Sequence, residues 1–121
     1  MLTVLVADDE FAVLEVLSMA LEGEGHRVLK AGDGADALRI LSTQPCDVVV
    51  CDEIMPVMNG RQLLAAIRAD DKLASLPVIL MSETWGTSLP EIEGALVLGK
   101  PLRLSELFAH VDRLAKARRT P

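Results

Sequence analysis

Asp8, Asp9, Asp52, Ser82 and Lys100 lie far apart in this 121-residue chain, yet each follows a short apolar run. Leu2 to Ala7 leads into Asp8-Asp9, Val48-Val49-Val50-Cys51 into Asp52, Val78-Ile79-Leu80-Met81 into Ser82, and Ala95-Leu96-Val97-Leu98 toward Lys100. A carboxylate at the carboxyl end of a buried strand is rigid from behind and open in front, where open α/β sheets bind and react. Three carboxylates at one edge are unfavourable alone: two charges ~5 Å apart at an effective dielectric of ~20 repel by roughly 3 kcal/mol. A hard divalent cation is therefore expected, and Mg2+, which takes one or two carboxylates and keeps its waters, suits the set better than a caged Ca2+. There is no EF-hand spacing, and the two histidines, His26 and His110, lie far from the acids in sequence, which argues against zinc. An ionised aspartate facing such a cation is a nucleophile toward phosphorus, giving an aspartyl-phosphate. Lys100 offers the phosphoryl group a fixed cation and Ser82 a hydroxyl donor.

Five strand-like runs must deliver these groups, and helical patterns separate them. Phe11, Leu14, Leu17 and Leu21 recur at helical spacing with Glu15, Ser18 and Glu22 opposite, predicting a helix with one core face. Gly23 and Gly25 stop it, Arg27 to Ala31 form a second strand, and Asp33 stands as the N-cap of a helix carrying Leu38 and Leu41. A third helix holds Leu63, Leu64 and Ile67. The last places Leu104, Leu107, Phe108, Val111 and Leu114 on one stripe. Strands alternating with helices imply a parallel sheet covered on both faces by right-handed crossovers, so all five strand ends share one edge.

Half of the residues are hydrophobic, so one domain over residues 1–121 can bury a core, which is aliphatic because the chain has one Trp, two Phe and no Tyr. A net charge of −6 argues against DNA or an anionic membrane as direct partners. The basic run Lys116-Ala117-Arg118-Arg119 suits the negative end of the last helix dipole. Cys46 and Cys51 have neither redox-pair nor zinc-pair spacing, and Cys51 reads as a small buried hydrophobe. The expectation is a cytoplasmic protein without a leader or membrane span.

Taken together, the acidic pair Asp8-Asp9, Asp52 with Met55-Pro56 and Gly60 beyond it, Ser82, and Lys100-Pro101 resemble the receiver domain of two-component response regulators over essentially the whole chain. The resemblance implies a doubly wound, flavodoxin-like (βα)5 fold with a five-stranded parallel sheet in the order 2-1-3-4-5. It also implies that Asp52 accepts phosphate, that Asp9 binds Mg2+ directly and Asp8 through water, and that the backbone carbonyl of Ile54 completes the metal ligands with Asp52. Ser82 would then bond the phosphoryl group and Lys100 pair with it. The implied partners are a histidine kinase or histidine phosphotransfer protein and a downstream protein target. On this reading the chain is not an enzyme toward other substrates and catalyses only its own phosphorylation and dephosphorylation. With 21 residues after Lys100 and no output module expected, it would be a stand-alone receiver that docks, or a phosphate shuttle or sink.

Two positions depart from that pattern. Three residues before the lysine, where receivers carry an aromatic switch, this chain has Val97. The segment between Ser82 and Lys100 is short and contains Gly86, Pro90 and Gly94, so the fourth helix of the family is expected to be short or missing. Trp85, the only tryptophan, falls in this segment and is expected to fill the groove, with closure over the site as a substitute switch. Ile54 puts an apolar side chain where attacking water must approach, predicting slow self-hydrolysis. Glu53 reads as a surface acid, Glu10 as a surface acid with access to the metal through water, and His26 and His110 as surface residues.

Rival readings explain less. Gly32-Asp33-Gly34-Ala35-Asp36-Ala37 has the form of a dinucleotide fingerprint, but Asp33 and Asp36 would face an anionic pyrophosphate. An aspartate-based phosphatase or phosphotransferase wants a second acid where Ile54 stands. A degenerate receiver that binds partners without phosphorylation accounts for Val97 but not for the intact acids, Ser82 and Lys100.

Overall fold

The computed structural model describes residues 1–83 and 89–119. Its elements, in chain order, are β1 (Thr3–Ala7), α1 (Phe11–Gly23), β2 (Arg27–Ala31), α2 (Gly34–Leu41), β3 (Val48–Asp52), α3 (Gly60–Ala69), β4 (Val78–Glu83), β5 (Leu96–Lys100) and α4 (Leu104–Arg119). All strand pairs are parallel, in the order β2-β1-β3-β4-β5, as expected for a flavodoxin-like fold. Residues 89–95, between β4 and β5, form no helix, and Trp85 lies outside the described residues, so the groove and closure expected of it concern a part of the chain not described.

Strands β1, β3 and β4 are almost wholly buried because helices cover both faces, which is why they read as unbroken apolar runs. Their side chains alternate between two cores. Leu5, Val49, Cys51, Val78 and Leu80 pack with Ala37 and Ile40 of α2 and Leu63 and Ile67 of α3. Val4, Val6, Val48, Val50, Ile79 and Met81 pack with Leu14, Leu17 and Leu21 of α1 and Leu107 and Val111 of α4. Each fully buried Leu or Ile contributes roughly 1.5–3 kcal/mol over an exposed one, enough to fix the sheet register and with it the strand ends.

The helix starts follow local chemistry. Asp33 caps α2 by accepting from the Asp36 amide at 2.8 Å, and the Gly34 amide donates to the Met58 carbonyl, so the second glycine of the would-be dinucleotide loop is already engaged. Asn59 and Gln62 form a reciprocal capping box on α3, both bonds at 2.9 Å. Gly60, the first residue of α3, touches the end of β3: a Cβ there would lie 2.5 Å from the Asp52 carbonyl oxygen and 3.0 Å from Glu53 Cα. The absence of a side chain therefore lets α3 abut Asp52.

Two helical stripes differ from their expected phase. Phe11 is 76% exposed, whereas Ser18, expected on the polar side, is fully buried with Leu14, Leu17 and Leu21. In α4 the core side is Leu107, Val111 and Ala115, and Leu104 is exposed at the first turn. His26 is also not a surface residue: its side chain is 9% exposed, Nδ1 accepts from the Leu2 amide at 3.2 Å, and Nε2 lies 3.5 Å from Asp112 Oδ1 on α4.

Candidate functional site

β1, β3 and β4 place Asp8, Asp52 and Ser82 at the carboxyl edge of the sheet, all buried despite their polarity. Carboxylate oxygens of Asp8, Asp9 and Asp52 lie within 4.8 Å of one another. Asp9 is exposed, while Asp8 Oδ1 accepts from the Glu10 amide at 2.9 Å. Asp8 Oδ2 is buried and has no hydrogen-bond partner, the feature expected of an acceptor built for a cation. Burial pushes the Asp8 carboxyl above the usual carboxylate range, and repulsion from Asp52 and Asp9 adds to it against the Glu10 amide and Lys100. A divalent cation relieves these penalties, so the residues present fit Mg2+.

Lys100, the last residue of β5, sends Nζ to Asp52 Oδ2 at 3.1 Å, and the peptide bond that follows it is cis. Burial pulls the ammonium down, but the hydrogen bond and charge of Asp52, with Asp8 and Glu83, more than offset it, and the pKa is raised. Its charge is thus secured across the physiological range. The other Asp52 oxygen, Oδ1, is 3.4 Å from the Ile54 amide. A cavity of about 170 Å³ opens in front of these groups, lined by acids Asp9, Glu10, Asp52, Glu53 and Glu83 with Ile54, Met81 and Lys100. Ile54 is 73% exposed at its mouth, the position from which its carbonyl was expected to serve the metal.

Ser82 stands beside this cleft but engages a different partner. Its hydroxyl donates to Glu53 Oε2 at 2.6 Å, and Glu53 Oε1 accepts from Arg61 Nε on α3 at 2.9 Å. The Ser82 hydrogen bond, with the Arg61 bond and charge behind it, holds the Glu53 carboxyl below its usual range against a smaller opposing effect of burial. Glu53, expected from the sequence as a surface acid, is therefore a mostly covered carboxylate with a partner on each oxygen. The sign of this role is its place in the strands: Asp52 pairs with Met81, so the next residues outward, Glu53 and Ser82, are cross-strand neighbours.

Val97 pairs with Leu80 and packs, half-buried, against the α2/α3 core. Cys46 and Cys51 are free thiols, with pKa values pushed up by burial to about 11 and about 12, so neither is a nucleophile at neutral pH.

Comparison with known proteins agrees with this architecture. The family model described as the response regulator receiver domain matches residues 4–112. The chain is similar to protein PilH of Pseudomonas aeruginosa, 34% identical over 93 residues that cover 71% of this chain and 77% of PilH. It is also similar to the transcriptional regulatory protein PrrA of Mycobacterium tuberculosis, 36% identical over 121 aligned residues that cover 95% of this chain and 50% of PrrA. Among solved structures, the signal receiver domain of a signal transduction histidine kinase from Syntrophus aciditrophicus superposes with a TM-score of 0.88 at 25% identity, covering 100% of this chain and 95% of that one. The chain spans about a third of the length of the first curated relatives it matches.

Proposed function

Because the chain belongs to the response regulator receiver domain family, we propose that it serves two-component phosphorelay signalling by taking a phosphoryl group onto Asp52. The donor is a phosphohistidine of a histidine kinase or histidine phosphotransfer protein. A carboxylate oxygen of Asp52 attacks phosphorus, the phosphorus–nitrogen bond breaks, and the departing imidazole keeps the bonding pair and takes up a proton from solvent.

The observation that carries this reading is the acidic corner: three carboxylates within 4.8 Å, one with a buried oxygen left without a partner, and an ammonium already on Asp52. Asp8, Asp9, Asp52 and the Ile54 carbonyl would hold Mg2+, with Asp8 acting through water. The ion supplies neutralisation of the charge that accumulates between acids and phosphoryl oxygens. Lys100 stays bound to the acceptor carboxylate and offsets the same charge from the β5 side, and Ser82 supplies a hydroxyl to the product. Ile54 covers the approach of water, which slows hydrolysis of the acyl phosphate.

Ile54 at the cleft, and Phe11 and Val57 in the segments that follow β1 and β3, are exposed, apolar surface on which a donor protein can seat its histidine. The phosphorylated chain then acts on a protein target by docking, or serves as a shuttle or sink, and it catalyses nothing beyond gain and loss of its own phosphoryl group. The match over 77% of PilH supports action as a stand-alone receiver, and the net charge of −6 argues against direct contact with nucleic acid or an anionic membrane. No helix among the described residues is long and apolar enough to cross a membrane, and the free thiols suit a reducing cytoplasm.

Phosphoramidate, the smallest phosphorus–nitrogen donor, tests the reading. With Mg2+ it should label the wild type with an acyl phosphate that hydroxylamine releases, and Asp52→Asn should abolish the label. A chain that stays unlabelled with phosphoramidate would contradict it and leave the phosphorylation-independent receiver as the better reading.

A further inference from the structure

Ser82 has one hydroxyl proton, and it is committed. The Glu53 acceptor at 2.6 Å is far better placed than the Glu83 carbonyl at 3.5 Å. Glu53 in turn receives Arg61 at 2.9 Å, giving a continuous path from the cleft to the surface of α3. Both anchors of this path are firm. Ser82 is 5% exposed at the end of β4, and the Gly60 contact with Asp52 and Glu53 fixes the start of α3 against β3. On β5, Val97, which packs against the α2/α3 core, has no polar atom that could follow a moving hydroxyl.

We propose that Glu53 is a positioning residue of the phosphoacceptor site: it holds the Ser82 hydroxyl away from Asp52 at rest and passes the withdrawal of that hydroxyl to Arg61 on α3. The inference rests on Asp52 being the phosphoacceptor. A phosphoryl group on Asp52 offers Ser82 a second anionic acceptor, and one proton cannot serve both. When Ser82 turns to the phosphoryl oxygen, Glu53 loses one of its two donors and Arg61 alone holds it. Arg61 lines a groove of about 420 Å³ with Leu64, Ala65, Arg68, Ile92 and Glu93, so the change emerges between α3 and the 92–94 turn rather than across β5. No aromatic swing is needed.

Beryllofluoride with Mg2+, a mimic of the phosphoryl group, tests the latch in a double-mutant cycle of wild type, Glu53→Gln, Ser82→Ala and the double variant. The charge removed at position 53 acts in both backgrounds, so the latch is read as a difference. Glu53→Gln should tighten beryllofluoride binding about tenfold when Ser82 is present and about twofold when it is alanine, a roughly fivefold coupling of the size expected for the net contribution of one hydrogen bond. In the same samples the Arg61 Nε–H resonance should move on saturation of the wild type and stay in place in Ser82→Ala. Equal tightening in both backgrounds, or an unmoved Arg61 in a saturated wild type, would overturn the latch while leaving Asp52 as the acceptor. Failure of the wild type to bind beryllofluoride at all would overturn both.

Discussion

Asp8 and Glu53 flank the same carboxylate and are treated in opposite ways by the fold. At the β1 corner Asp8 is 1% exposed, keeps one oxygen without a donor, and is pushed up in pKa by burial. At the α3 corner each Glu53 oxygen has its own donor, Ser82 on one side and Arg61 on the other, and the carboxyl is held low. A buried unpaired acceptor costs free energy that a bound cation recovers. An acceptor that is already satisfied gains little from one. The first corner is thus built to take a ligand, the second to sense the result.

Mg2+ affinity gives the largest contrast between them. Asp8→Asn should weaken Mg2+ binding, followed by calorimetry, about 100-fold, because it removes a charge and the orphaned acceptor together. Glu53→Gln should change it by less than about threefold. Comparable losses in both variants would break the distinction.

The α3 corner depends on close backbone contact, and stability should report it. Gly60→Ala forces a Cβ to within 2.5 Å of the Asp52 carbonyl, a backbone atom that cannot step aside, and should cost about 2 kcal/mol in urea unfolding. A cost near zero would mean that α3 is not seated on the end of β3. In the connecting loop, Val57 holds a φ of 68° while 82% exposed. Val57→Gly should therefore stabilise the protein by about 1 kcal/mol, measured in the same way, by relieving a β-branched residue of a left-handed backbone.

The two acids should also tilt stability with pH in opposite senses, the smallest of these effects. Asp8, raised, binds its proton more tightly folded than unfolded, so metal-free stability falls as pH rises from the ordinary carboxylate range through its folded value. Glu53, lowered, contributes stability that is present above its unfolded value and lost as pH falls through its folded one. Urea midpoints across the acidic range should lose the first slope in Asp8→Asn and the second in Glu53→Gln, and unchanged slopes would contradict the assignment.

The Asp8 side of this contrast is legible in the sequence. Strands β1, β3 and β4 announce themselves because both faces are buried, and the acids directly behind them must then meet at one edge. What could not be read was pairing set by register. That Ser82 faces Glu53 follows from the alignment of β4 on β3, which no local pattern encodes. Arg61 joins them only because Gly60 presses α3 onto the end of β3. In α1 the period was legible but the phase was not: Phe11 looks like core and is exposed, while the small hydroxyl of Ser18 fits where the helix meets the sheet. His26 reads as a surface residue for a similar reason, since its partners, Leu2 and Asp112, are remote in sequence.

Intact-mass measurement after incubation with acetyl phosphate and Mg2+ addresses the central claim most directly. The wild type should gain the mass of one phosphoryl group, located by peptide mapping to Asp52, and the gain should vanish with EDTA or in Asp52→Asn. No gain in the wild type, or the same gain in Asp52→Asn, would contradict the assignment of Asp52 as the phosphoacceptor.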